Sequence, residues 1–185
     1  IKAAVDAVAV GGRVCILPGD FVVSSPILIE KAGVRIEGCG PATRIRHAGG
    51  TGPLFSVKAA AVEIRDLSCF SAEQPGGPAI RAEGAAGLQV ENCHLRVPGG
   101  IGLSLDRCAE AEITDCTIAG YPSLLIMRCV GVKARSNVMT RGGIWVGSAS
   151  RDILISDNRI MDGDGPGILL GDSGLSSLPE EIRPI

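Results

Sequence analysis

The chain has 185 residues, enough for one domain with a core of its own. Its formal charge of −2 comes from interspersed acids and bases, which excludes the basic footprint of a nucleic-acid binder, and no apolar run approaches the roughly 20 residues that span a bilayer. Hydrophobic residues make up 45% but aromatics only 3%, so the core has to be built from Val, Ile, Leu and Ala.

Residues 1–10 (IKAAVDAVAV) predict a short amphipathic helix suited to capping the end of something larger. The chain does not begin with Met, and it reads as a fragment of a longer protein. GGRVCILPGDF at 11–21 then predicts a strand, a Pro-Gly turn and a second strand.

From Val34 onward one six-residue pattern recurs, apolar-x-apolar-x-turn-(Cys/Asn): VRIEGC, VEIRDL, LQVENC, AEITDC, VKARSN and ILISDN. The turn residues Gly38, Asp66, Asn92, Asp115, Ser136 and Asp157 are spaced by 28, 26, 23, 21 and 21. A second strand precedes each pattern, centred on Leu28, Phe55, Ile80, Leu103, Leu125, Trp145 and Leu169, and a shorter third strand follows it. Three strands per period leave no room for a helix. The fold class predicted is therefore all-β, a right-handed parallel β-helix of about seven coils at 11–172, with a helical cap at 1–10 and a tail at 173–185.

Alternation places Val34/Ile36, Val62/Ile64, Leu88/Val90 and Ile153/Ile155 on one inward face, with Arg35, Glu63, Glu91, Glu112 and Lys133 outward. The turn residues are those that tolerate the left-handed conformation. Cys39, Cys93, Cys116, Asn137 and Asn158 fall one residue later and predict an inward ladder passing from thiols to amides. The seven Cys include no C-x-x-C pair, so a reduced structural role is expected, which tilts weakly towards a cytoplasmic history.

Gly11–Ile45, with its Gly-Gly, its strand ending in Pro-Gly and Gly38-Cys39-Gly40-Pro41-Ala42-Thr43, resembles the opening of the pectin-lyase-like superfamily. Later coils such as ILISDNRI resemble its generic repeat. The resemblance implies a β-helix and leaves activity open, since the superfamily spans lyases, hydrolases, epimerases, tailspikes and scaffolds. The Asn-Thr-Asp, Asp-Asp and Gly-His-Gly of its polygalacturonase-like hydrolases are missing, as is the Asp-Pro-His-Asp of its alginate epimerases.

In those enzymes the substrate lies along the outer face of the strand preceding the repeated pattern. That row here is Ser56, Arg81, Ser104, Leu125, Trp145 and Leu169, polar in its first half and apolar in its second. Trp145 would stack on a sugar, with Leu125 and Leu169 enlarging a patch for a protein or a covering segment; one slip of register would bury Trp145 instead. The next row brings Glu83 and Asp106 onto adjacent coils roughly 5 Å apart, close to Arg81 and Arg107. Such acids suit proton sharing, a cation or a retaining glycosidase, with Glu83, Asp106 and Arg81 as catalytic candidates, or else simply solvated charge.

Asp157, Asp162, Asp164 and Asp172 invite calcium but read better as a Gly- and Pro-rich turn; calcium is the one cofactor entertained, and no metal ligand is assigned. His47 and His94 sit two coils apart without a nucleophile between them, and GDSG at 171–174 lacks a serine-protease context. The favoured expectation is a non-catalytic module binding a polysaccharide or a protein partner along its outer face. The alternatives are a lyase or hydrolase of acidic polysaccharide, and a structural spacer or homo-oligomerising rod.

Overall fold

The computed structural model describes residues 1–49, 52–71, 77–147, 149–163 and 165–171. Strands of three to five residues build three parallel sheets of seven strands each, every coil contributing one strand to each sheet. The first sheet stacks Arg13–Cys15, Arg35–Glu37, Glu63–Arg65, Gln89–Glu91, Glu112–Thr114, Lys133–Arg135 and Leu154–Ser156. The second stacks Gly19–Val23, Thr43–His47, Ser68–Phe70, His94–Arg96, Thr117–Ala119, Val138–Thr140 and Arg159–Met161. The third stacks Ile27–Ile29, Phe55–Val57, Ile80–Glu83, Leu103–Asp106, Leu124–Met127, Ile144–Val146 and Ile168–Leu170. This is the expected solenoid.

A three-residue strand points only one or two side chains inward, so no coil can bury a core alone; stacking in register supplies it. Val14, Ile36, Ile64, Val90, Ile113, Ala134 and Ile155 pair along the first sheet, and Phe21, Ile45, Cys69, Leu95, Ile118, Met139 and Ile160 along the second. All but Phe21, Ile155 and Ile160 are buried. Glu91 belongs one outward row beyond the place the sequence pattern gave it, beside Arg65 and Thr114.

The N-terminal helix is shorter than expected, Lys2–Ala7, and inserts Val5 against the first strand of the third sheet. Lys31 Nζ donates to the carbonyls of Asp6 and Val8, satisfying groups that the helix end leaves open. The expected tail at 173–185 lies outside the described residues.

The corner between the first and second sheets explains the repeat. Asp66, Asn92, Asp115, Ser136 and Asp157 all have φ between 49 and 57°, the left-handed conformation. Gly38 does not; it is required for closeness, because a Cβ there would lie 2.3 Å from the Asp66 carbonyl oxygen. The second coil differs again at the ladder. A 3₁₀ turn at Gly40–Ala42 displaces the chain, so Cys39 is exposed and the fully buried Thr43 takes the slot.

Along the ladder, every polar side chain reaches the carbonyl of the inward residue one coil earlier or its equivalent. Thr43 Oγ1 donates to Ile16 O (3.1 Å), Cys93 Sγ to Ile64 O (3.6 Å) and Cys116 Sγ to Val90 O (3.6 Å). Asn137 Nδ2 donates to Ile113 O (2.9 Å) and Asn158 Nδ2 to Ala134 O (2.8 Å). The amides also accept from the coil before, Cys116 N–H to Asn137 Oδ1 and Asn137 N–H to Asn158 Oδ1, both 2.9 Å. Leu67 occupies the third coil's slot without a polar group. Five of the seven cysteines are buried and all are free, as a structural role requires.

Two outcomes follow for stability. Asn137→Ala strands the Cys116 N–H in the interior and should cost about 2–3 kcal/mol in urea unfolding, while Asn137→Cys, which copies the neighbouring coils, should cost less. Burial pushes the Asp66 carboxyl up, but hydrogen bonds from Arg65 Nε (2.8 Å) and Asn92 Nδ2 (2.6 Å) outweigh it and hold the group below its ordinary value of 3.8. A depressed native value contributes stability above the ordinary range that disappears as pH falls through the native one. The stability gap between the parent and Asp66→Asn should therefore shrink on titrating from pH 7 to pH 3, read by thermal unfolding.

Candidate functional site

The third sheet carries the residues singled out from the sequence, and its register is the one predicted. Leu28, Ser56, Arg81, Ser104, Leu125, Trp145 and Leu169 are directly paired along one outward row. Ile80/Ala82, Leu103/Leu105, Leu124/Ile126 and Ile144/Val146 are buried on the inward side. Ile168 and Leu170 continue the inward rows but are 48% and 71% exposed at the last described coil.

The two halves of the outward row differ in cover. Ser56 and Arg81 are partly exposed, and among the described residues Arg81 makes no ion pair. Ser104 is nearly buried at 8% exposure. Leu125 (1%) and Trp145 (3%) are buried outside the tube, in a small cluster of their own with Ile101 and Met127, against which Leu169 packs. The Tyr121 ring meets Trp145 edge-on at 5.3 Å. Both Ile101 and Tyr121 come from segments linking the second sheet to the third. Trp145 is thus outward by register yet covered within the single chain, and its Nε1 has no hydrogen-bond partner among the described residues.

Glu83 and Asp106 are paired on adjacent strands as expected. Each strand passes into a residue at positive φ: Gly84, Arg107 and Arg128. Those corners return two guanidiniums to the acids. Arg128 grips Asp106 through two parallel bonds, Nε to Oδ1 and Nη2 to Oδ2, both 2.8 Å. Arg107 bonds Glu83 Oε1 and lies 3.5 Å from Asp106. The Asp106 side chain is 15% exposed and that of Glu83 43%, so the first is held inside the cluster and the second at its edge. The carboxylates next to Arg128 raise its guanidinium further above its ordinary range. Arg128 escaped the sequence reading, although it follows Arg107 by 21 residues, the coil spacing itself.

Beneath these corners runs a second ladder. Cys108 N–H donates to Cys129 Sγ (3.4 Å) and Cys129 N–H to Ser150 Oγ (3.2 Å). A hydrogen bond with Cys129 and burial both push the Cys108 thiol up, which suits a structural role better than a nucleophilic one. His47 and His94 lie two strands apart on the second sheet. No group of three or more His, Cys, Asp or Glu converges for a metal among the described residues. Asp157 and Asp162 occupy left-handed corner positions, whereas Asp164, Asp172 and most of GDSG lie outside the described residues.

A family model described as "Right handed beta helix region" matches residues 55–178. The chain belongs to the right-handed β-helix family. The fold implied by the pectin-lyase-like opening is the fold of this family member. No curated protein matches the sequence. Among solved structures, ORF18 of Geobacillus virus E2 is similar over 90% of this chain and 37% of its own, at 15% identity and a TM-score of 0.73. A Parabacteroides merdae protein proposed to be a glycosyl hydrolase matches over 86% of this chain and 88% of its own, at 14% identity and 0.71. The catalytic unit of the Streptomyces thermodiastaticus GH87 α-1,3-glucanase matches over 90% of this chain and 38% of its own, at 20% identity and 0.62. The β-helix module thus spans little more than a third of the viral protein and of the glucanase unit. These likenesses establish shared architecture.

The Arg128–Asp106 pair sits at the strand end of the third sheet and is not part of the tube. Arg128→Ala should lower unfolding stability by about 1–2 kcal/mol, because it removes both hydrogen bonds from a mostly buried carboxylate and leaves only Arg107 nearby. Asp106→Asn in the Arg128→Ala background should recover part of that loss in the same denaturation series.

Proposed function

We propose that this β-helix module holds a glycan chain along the outer face of its third sheet without cleaving it. The supporting observation is the engagement of the two acids. A retaining glycosidase needs two carboxyl groups facing the scissile bond, one to attack and one to deliver a proton. Here both oxygens of Asp106 are committed to guanidinium hydrogens of Arg128, and Oε1 of Glu83 to one of Arg107. Beside that network Ser56, Arg81, Glu83 and Arg107 form a polar strip across three successive coils. Such a strip suits hydroxyl-rich ligands, since its donors and acceptors are fixed before binding.

The apolar half of the row contributes differently from an open stacking platform. With Trp145 and Leu125 covered by Ile101 and Tyr121, the ligand would run over the polar half. The carbohydrate-active neighbours agree with this reading in fold.

A panel of neutral and acidic polysaccharides, with and without calcium, checks it by reducing-end release, ultraviolet absorbance of unsaturated products and affinity electrophoresis. Retardation without product is expected, weakened about tenfold by Arg81→Ala together with Glu83→Ala. Turnover of any member that Glu83→Ala and Asp106→Ala abolish would establish an enzyme in place of a binding module.

A further inference from the structure

The second sheet presents an outer face that the third-sheet reading does not use. Arg46, Phe70 and Arg96 pair directly across three adjacent strands, placing an aromatic ring between two cations. Arg46 and Arg96 are exposed, and among the described residues neither makes an ion pair. That sets them apart from three other arginines of the early coils, though not from Arg81 on the third sheet. Arg13 pairs with Glu37, Arg35 with Glu63, and Arg44 with Asp20, while Arg44 also lies 5.6 Å from the centre of the Phe70 ring.

Beside Phe70 is a groove of about 290 Å³, lined by Pro41, Phe70, His94, Arg96 and Thr117 among others. Its lining combines apolar Pro41 and Phe70 with the Arg96 guanidinium and the polar side chains of His94 and Thr117. Ligand pockets begin at about 300 Å³, so the groove accommodates a single ring, with the remainder of any ligand lying along the sheet. Arg46 and Arg96 are two strand spacings apart, about 10 Å at the backbone, a separation that one disaccharide spans.

We infer that this groove binds one uronate residue of an acidic polysaccharide, its ring against Phe70 and Pro41, with Arg96 pairing its carboxylate and Arg46 a carboxylate further along the chain. A guanidinium fork matches a carboxylate's two oxygens, and the polarised C–H groups of a pyranose suit an aromatic face. Single-stranded nucleic acid also combines stacking with cations, but it calls for a long basic track. This face offers one aromatic ring between two arginines that make no ion pair among the described residues, on a chain of net charge −2. The inference concerns a different sheet from the proposed glycan face and does not depend on it.

The test uses fluorescently labelled hexamers of galacturonate and mannuronate, a hyaluronan hexamer, fully methyl-esterified oligogalacturonate and a thymidine oligomer, titrated by anisotropy. At least one acidic hexamer should bind and the ester should not. Arg96→Gln should weaken binding about tenfold and Arg46→Gln less, and a roughly tenfold rise in salt should weaken the parent. Both side chains are exposed, so melting temperatures should match the parent. Lys133→Gln, at an exposed position on the first sheet, should leave the affinity unchanged. Failure of all three acidic hexamers, or tighter binding of the thymidine oligomer, would overturn the inference. Loss on Arg81→Gln with retention on Arg96→Gln would also overturn it, while moving the acidic ligand to the third sheet.

Discussion

The structure depends on one constraint: strands this short cannot bury anything alone, so each inward side chain must lie over its counterpart in the next coil. A single coil offers a handful of aliphatic groups, and only their pairing along three sheets makes a continuous core. This explains why the spacing settles to 21 residues where the coils are tightest. The longer early coils place their additional residues in corners and loops, such as the 3₁₀ turn at Gly40–Ala42, and leave the strands in register.

Corners bear the second half of the constraint. The chain must turn sharply without stranding backbone groups in the tube. It does so with left-handed residues and with inward side chains that bond the stacked carbonyls. Thiols serve where the donor demand is small, and amides serve where each coil must both donate and accept. Asn137 satisfies the Ile113 carbonyl and the Cys116 N–H together, whereas the Cys93 and Cys116 thiols donate to carbonyls.

Much of this was legible in the sequence because a solenoid repeats its signal. The six-residue pattern located the first-sheet strands, the left-handed corners and the third-sheet register. What escaped has one physical origin. Periodicity says which side of a strand a residue occupies, but not what lies over it. Trp145 was outward as expected, yet Ile101 and Tyr121 fold onto it from linker segments that carry no period. Cys39 matched the ladder by pattern, but a local 3₁₀ turn gave its slot to Thr43. Glu83 and Asp106 met as predicted, whereas the guanidinium that neutralises Asp106 comes from a corner one coil later. The second-sheet cations carry no signal beyond strand alternation, so the pattern marks Arg46 and Arg96 only as outward residues.

Inner and outer rows are alternate residues of the same strands, and that separates fold from function here more completely than in a globular domain. Leu95 is fully buried and fixes the coil, while Arg96 beside it faces solvent and touches nothing the core requires. A solenoid can therefore exchange every outward residue and keep its register. Solved structures with 14–20% identity retain the architecture across most of this chain for that reason. By the same reasoning, what the module binds must be argued from the rows that stacking leaves free. Two faces then stand apart: on the third sheet Asp106 and Glu83 are already engaged by Arg128 and Arg107, while on the second Arg46 and Arg96 flank Phe70 without an ion pair among the described residues.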